Sequence, residues 1–313
     1  MLRVIGRRLA LSLPLLLIVP TVTFLLAALI PGDVARTILG ADATQAQYLQ
    51  LRQSLGLNEP LLTRYFGWLG NALHGNLGTS LFWQQPVVSL LDSRLGVTLS
   101  LVIGSTAVAA AIGVLLGVAA ALRAGVAGKS VDAIALVGLA IPNFFLGLLL
   151  VTWFAVTFRV FPATGYVPIS QSPSGWLSSI VLPVITLAVP GIAVIAKQTR
   201  DAMREVLDRP FMRTLRAAGV PARSIIGKHA LRNAAIPVVT VIGLIFIGSL
   251  SGTVLVETVF ALPGLGGLVV QATSQHDLPL IQGVAVYFTI AVIVVNLLVD
   301  LAYSWLDPRV RVS

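Results

Sequence analysis

An all-helical membrane protein of six spans is the fold class this sequence predicts, on three observations. Only 11% of its 313 residues are charged and 57% are hydrophobic, under half the roughly 25% charge of a water-soluble domain. Six stretches are apolar over the roughly 20 residues needed to cross about 30 Å of hydrocarbon. Most basic residues fall on one side of those stretches. The spans run Leu9 to Ile30, Val97 to Leu122, Val131 to Thr157, Trp176 to Ala196, Ile236 to Val256 and Gly283 to Leu306.

An even number of crossings places both termini on one side, and that side holds 16 of the 21 Lys and Arg residues. They are Arg3, Arg7 and Arg8; Arg123 and Lys129; Lys197, Arg200, Arg204, Arg209, Arg213, Arg216, Arg223, Lys228 and Arg232; Arg309 and Arg311. The positive-inside rule makes this side cytoplasmic. Arg36, Arg52, Arg64, Arg94 and Arg159 face the other way. The first stretch exceeds the h-region of a signal peptide and reads as a span. The net charge of +9 thus reflects topology and not nucleic-acid binding, since Phe211 is the only aromatic of the long basic loop. The absence of cysteine removes disulfides, thiol redox chemistry and cysteine nucleophiles.

In chain order, residues 1–30 form the N-terminal segment and first span, and residues 31–96 an extracytoplasmic loop with its own short helices. Residues 97–306 form a five-helix core, interrupted by the cytoplasmic loop 197–235, and residues 307–313 a cytoplasmic tail. Within the first loop, Thr44 and Gln47 have the spacing of a capping box, Tyr48, Leu51 and Leu55 follow at helical spacing, and Gly56 closes the helix. A second helix starts at Pro60, carries Leu62, Tyr65, Phe66, Leu69 and Leu73, and stops at Gly75. These helices are expected to fold over the outer mouth of the bundle.

The loop 197–235 has the most specific punctuation. Asp208 and Pro210 open a helix of about two turns; Gly219 suits its left-handed C′ position and Pro221 blocks continuation. A second helical stretch is expected from Ala222 to Ala235. So short a helix is unstable alone, so it requires packing through Met212 and Leu215. Lipid headgroups could also attract this basic segment.

Other patterns are weaker. Gly125-Val-Ala-Gly-Lys-Ser130 lacks the first glycine of a phosphate-binding loop, where Arg123 stands, and follows no strand. Ser249-Leu-Ser251-Gly252 resembles an intramembrane serine-protease motif, but His74, His229 and His276 all fall in loops. Gly248, Ser249, Ser251 and Gly252 read instead as close-packing positions. Asp300, near the inner end of the last span, reads as a partner for an N-terminal Arg rather than an ion relay. Pro142, Pro183 and Pro190 predict bends in spans three and four.

The residues Arg213-Thr-Leu-Arg-Ala-Ala-Gly219 and Lys228-His-Ala-Leu-Arg-Asn-Ala-Ala-Ile-Pro237 resemble the loop of ABC importer permeases of the dipeptide/oligopeptide and nickel group. In the broader importer pattern, Arg213, Thr214 and Leu215 replace Glu-Ala-Ala, Gly219 and Leu231 align, and His229 and Arg232 replace Ile and Pro. Pro31-Gly-Asp33, Leu51 to Leu62, Gly75-Asn-Leu-Gly78, Val256-Glu-Thr-Val-Phe-Ala-Leu-Pro-Gly-Leu-Gly266, Asn296 to Asp300 and Leu306-Asp-Pro-Arg309 resemble other regions of the group. The long first loop is similar to that of its B-type subunit.

The resemblance implies a type I importer transmembrane domain in the bacterial plasma membrane, not itself an enzyme and without a cofactor of its own. Its implied partners are a second homologous permease, two ATPase subunits or domains holding ATP and Mg, an extracytoplasmic substrate-binding protein and membrane lipid, with no nucleic acid. Arg213, Thr214, Leu215, Arg216, Ala217, Ala218, Gly219, Val220, Arg223 and His229 would then couple the chain to an ATPase. Glu257, Phe260 and Asp277 would stand at an outer gate or binding-protein dock. The cargo would be dipeptides or oligopeptides; nickel chelates, glutathione or another small solute remain open. A stand-alone secondary carrier would need buried ion sites and repeated halves, neither of which the sequence displays.

Overall fold

The computed structural model describes residues 2–306 except residues 31, 41–42, 124–137 and 139. Pro31, Lys129, the Gly125 to Ser130 segment, the start of the expected third span at Val131, and Asp307, Pro308, Arg309 and Arg311 lie outside the described residues, as do the side chains of Arg3 and Arg7.

The fold is all-α: among the described residues the only strand-like pairing is an isolated antiparallel bridge, Thr79 to Pro86. In chain order the helices are α1 (Leu2–Ala28), α2 (Val34–Leu39), α3 (Gln45–Ser54), α4 (Leu61–Leu73), α5 (Val87–Leu122), α6 (Asn143–Leu150), α7 (Pro173–Leu207), α8 (Pro210–Ala217), α9 (Ala222–Val259), α10 (Leu265–Ser274) and α11 (Leu278–Leu306). Stretches within α1, α5, α7, α9 and α11 are long and apolar enough to cross a membrane. The described part of the expected third span is shorter, Asn143–Thr157, with Pro142 at its N-cap and a π-helical end, Val151–Thr157.

Several helices outrun their apolar stretches. α5 begins ten residues before Val97, admitting Asp92 and Arg94, and α7 continues through Lys197 to Leu207. Part of the expected inner loop is therefore helix. A hydropathy pattern marks only the lipid-facing length; beyond it, packing and capping decide where a helix ends. The expected stretch from Ala222 to Ala235 is likewise the first part of the continuous α9, which includes a π-helical turn, Ile225–Leu231.

The chain divides into two compact units, with divisions inside α1, α5 and α11 and between α9 and α10. One comprises residues 99–262 with both chain ends. Its helices approach closely at glycines: a Cβ on Gly117 would lie 2.6 Å from the Ala196 carbonyl, and one on Gly191 would lie 3.0 Å from the Ala109 Cβ and 2.9 Å from Ile245. The expected close-packing group is only partly of this kind. A Cβ on Gly252 would meet Leu187 at 3.1 Å, but one on Gly248 would meet nothing within 4 Å. Pro183 and Pro190 lie inside α7.

The other unit comprises residues 6–98 and 263–293. Its core joins Leu77, Val87 and Leu91 with Leu265, Leu268, Leu280 and Val284. The capping box of α3 forms with both its hydrogen bonds, from the Gln47 amide to the Thr44 hydroxyl and from the Thr44 amide to the Gln47 side chain. The helix α2 went unanticipated; its signal is Asp33, whose carboxylate accepts from the Ala35 amide at 2.8 Å.

The candidate coupling surface

The helix α8 has eight residues, and its sequence accounts for both ends. Pro210 occupies the first turn, where its missing N–H costs nothing. Asp208, expected to open α8, is instead where α7 ends, and Arg209 is the N-cap. At the other end the Val220 amide donates to the Leu215 carbonyl and the Gly219 amide to the Arg216 carbonyl, both at 3.1 Å. These are the two bonds of a Schellman motif, and Leu215 and Val220 pack on one apolar cluster beneath it. Gly219 has φ +74°, and a Cβ there would touch nothing within 4 Å. The position is restricted by backbone conformation, not by space.

That cluster holds the helix in place. Met212 is buried among Ala202, Met203 and Val206 of α7 and Ile225, Ala230 and Ala234 of α9. Burying a side chain of this size contributes about 1.5–3 kcal/mol, enough to hold a helix too short to persist alone. A second tie runs from Arg204, whose guanidinium donates to the Ala120 carbonyl at 3.2 Å in the last turn of α5. A cation there also suits the negative end of the helix dipole.

The charge pattern separates the helix from its support. On α7, Asp201 pairs with Lys197 at 3.2 Å and Arg200 at 2.8 Å, and Glu205 pairs with Arg209 at 2.7 Å. Arg213, Arg216 and Arg223 are exposed, and among the described residues they make no ion pair or side-chain hydrogen bond. Thr214, Ala217, Ala218 and Gly219 are exposed with them. Phe211, 39% exposed, adds an aromatic ring at the start of α8. Neither Phe211 nor Arg204 was among the expected site residues; the signal for Phe211 was an aromatic beside Met212 in an otherwise polar segment. A cleft of 520 Å³ opens beside them, lined by Leu207, Asp208, Arg216, Val220, Ala222 and Ile226 among others.

His229 is half-buried on the π-helical turn, with its carbonyl accepting from the Asn233 side-chain Nδ2 at 2.6 Å. It lies 22 residues before Ser251 on the continuous α9, about 33 Å at 1.5 Å per residue. The serine therefore has no base from His229.

The three remaining candidates are buried. The Phe260 carbonyl accepts from the Gly165 amide at 3.1 Å, and a Cβ on Gly147 would lie 3.2 Å from its ring. Glu257, also in the first unit, accepts from the Leu262 amide through its carbonyl at 2.8 Å. Asp277, in the second unit, receives the Ser80 hydroxyl and the Phe82 amide on Oδ2 and the Leu280 amide on Oδ1. It sits at the start of α11, where a carboxylate suits the helix dipole. Its neighbour His276 has φ +58°, and its ring occupies the place a Cβ on Gly32 would take.

Comparison with known proteins adds to this geometry. Residues 113–312 match the family described as binding-protein-dependent transport system inner membrane component, and residues 1–102 match the N-terminal membrane component of the same systems. A permease of Brucella abortus (strain 2308) named for a peptide transport system is 42% identical over 306 residues, 97% of this chain and 98% of that one. The glutathione transport system permease of Pectobacterium atrosepticum is 39% identical over 306 residues, 97% of each chain. A permease of Escherichia coli (strain K12) named for D,D-dipeptide transport is 36% identical over 311 residues, 92% of each.

Proposed function

The chain belongs to the inner membrane components of binding-protein-dependent transport systems, and from that premise we propose how it works as the permease subunit of an ATP-driven peptide importer. It supplies half of a translocation path, with a second homologous permease supplying the rest. Separate ATPase chains or domains carry ATP and Mg, and an extracytoplasmic binding protein delivers the cargo. Both termini and α8 face the cytoplasm, following the excess of Lys and Arg in those segments.

The observation that carries this reading is the contrast between the buried underside of α8 and its unpaired cationic rim. Met212 and the Schellman closure fix the helix to α7 and α9, while Arg213, Arg216 and Arg223 offer guanidinium groups to an acidic groove. Each exposed pair adds only 0 to about 1 kcal/mol, so the charges set register and the exposed ring of Phe211 supplies grip. When nucleotide-bound ATPases close, α8 moves as a rigid piece with the ends of α7 and α9. The bundle is then biased between two packings rather than bent continuously.

Glu257, Phe260 and Asp277 serve the path through internal packing, their burial favouring a gate or a hinge over a docking face. Peptides are the cargo on the strength of the peptide-named and dipeptide-named relatives. Glutathione is the second reading because a permease named for it is 39% identical to this chain. Affinities of the cognate binding protein for dipeptides and glutathione separate the two.

The test of coupling is the assembled importer in proteoliposomes with Gly219→Val. The variant assembles but loses most ATP-driven uptake, since α8 can no longer end in the left-handed conformation. Uptake at the unsubstituted level would remove the coupling role from this helix.

A further inference from the structure

Helix α4 leaves an apolar stripe uncovered. Leu62, Phe66 and Leu73 are 67%, 63% and 74% exposed, and with Leu69 they follow one face at spacings of four, three and four residues. The adjacent edge of the same face is not exposed: Tyr65 is buried, and Trp68 and Ala72 pack inward. Gly67, Asn71 and His74 lie round the helix on the side away from this stripe and are exposed.

The position of Tyr65 fixes the depth of this helix. Its ring lies 5.2 Å from that of Phe24 on α1, and its hydroxyl is 2.5 Å from the Thr21 hydroxyl. The Thr21 proton is given to the Leu17 carbonyl, so Tyr65 is the donor and its polar tip is satisfied without water. Both partners lie inside the apolar span Ala10–Ala28, one to two turns before its end, or about 6–10 Å at 1.5 Å per residue. Interfacial helices bury their apolar faces about 5–10 Å into the acyl boundary. The outward face of α1 itself, with Leu17, Ile18, Val22, Leu25 and Leu26 exposed, has the composition of a lipid-facing surface.

We infer that α4 is an interfacial helix seated in the extracytoplasmic leaflet, with Leu62, Phe66 and Leu73 among the lipid acyl chains. The segment between α1 and α5 is then a membrane-seated platform and not a water-facing lid. Trp68, whose indole donates to the Leu77 carbonyl at 3.2 Å, is like Tyr65 in having its polar atom bonded within the protein, so the inward edge of α4 asks nothing of water.

Because the chain has no cysteine, single cysteines at Leu62, Phe66 and Leu73, and at Gly67, Asn71 and His74 as controls, can each carry a nitroxide label. The full chain is placed in vesicles of phosphatidylethanolamine and phosphatidylglycerol, and relaxation by molecular oxygen is compared with relaxation by a water-soluble nickel chelate. Oxygen outweighs nickel several-fold at 62, 66 and 73, with the reverse at 67, 71 and 74. Dominant nickel access at all six positions would make the stripe water-facing and overturn the proposal. Exclusion of both reagents from 62, 66 and 73 would overturn it in favour of a protein cover, such as the second permease or the binding protein.

Discussion

The end of α8 and the start of α11 complete their backbone hydrogen bonding by opposite routes. At α8 the closure is local: Gly219 and Val220 return two amides to Leu215 and Arg216, and three arginines around it have no ion-pair partner among the described residues. At α11 it is long-range: Asp277 collects a hydroxyl and an amide from residues 197 and 195 positions away in the chain, and its carboxylate is wholly buried. Locally closed structure with spare charge at its rim suits a surface that meets another protein. A polar group whose bonds are all internal suits a joint. The first can be altered without unfolding the chain, and the second cannot.

The sharpest way to break this comparison is at the joint. Asp277→Ala leaves the Ser80 hydroxyl and the Phe82 and Leu280 amides without their acceptor, and several buried donors so orphaned cost about 4 kcal/mol. Titration of the purified chain with SDS should show a large loss of stability; a midpoint near that of the unsubstituted chain would mean the three donors find other acceptors. Under α8, Met212→Ala opens a cavity costing about 3 kcal/mol, and the same titration reads it. That loss should come with faster proteolysis between α7 and α9, since the helix has no other deep anchor.

Gly219→Ala asks for less. A Cβ at a left-handed position costs about 1 kcal/mol and meets no neighbour, so stability drops slightly while ATP-driven uptake drops markedly. Smallest in stability is Arg213→Glu with Arg216→Glu, a surface change within about 0.5 kcal/mol. Transport and ATPase recruitment by the assembled importer should nevertheless fail. Equal loss of stability in the arginine and Asp277 variants would erase the distinction between the two regions.

Much of this was legible in the sequence wherever the cause is local. Hydropathy marks the spans because hydrocarbon satisfies no backbone group, and Gly219, Thr44 and Gly56 announce their caps within six residues. What was hidden has nonlocal causes. The Ser80 to Asp277 bond joins segments separated by most of the chain, and α5 and α7 extend past their apolar runs. Gly191 and Gly243 mark close approaches that no motif distinguished from Gly248, which faces open space. The unpaired state of Arg213, Arg216 and Arg223 could not be read from the sequence either, because Asp201, Glu205 and Asp208 offered equally plausible partners until the geometry assigned two of those acids to α7 pairs.

The π-helical turn Ile225–Leu231 gives α9 a slack residue. Such a turn can migrate along its helix by exchanging one hydrogen bond for the next, and each residue it passes is rotated by about 100° about the axis, the angle one residue occupies. The ends of the helix need not separate while this happens. Lys228 and His229 sit on that turn, so α9 contains a swivel directly behind α8, through which a push received at one end can leave as a twist at the other.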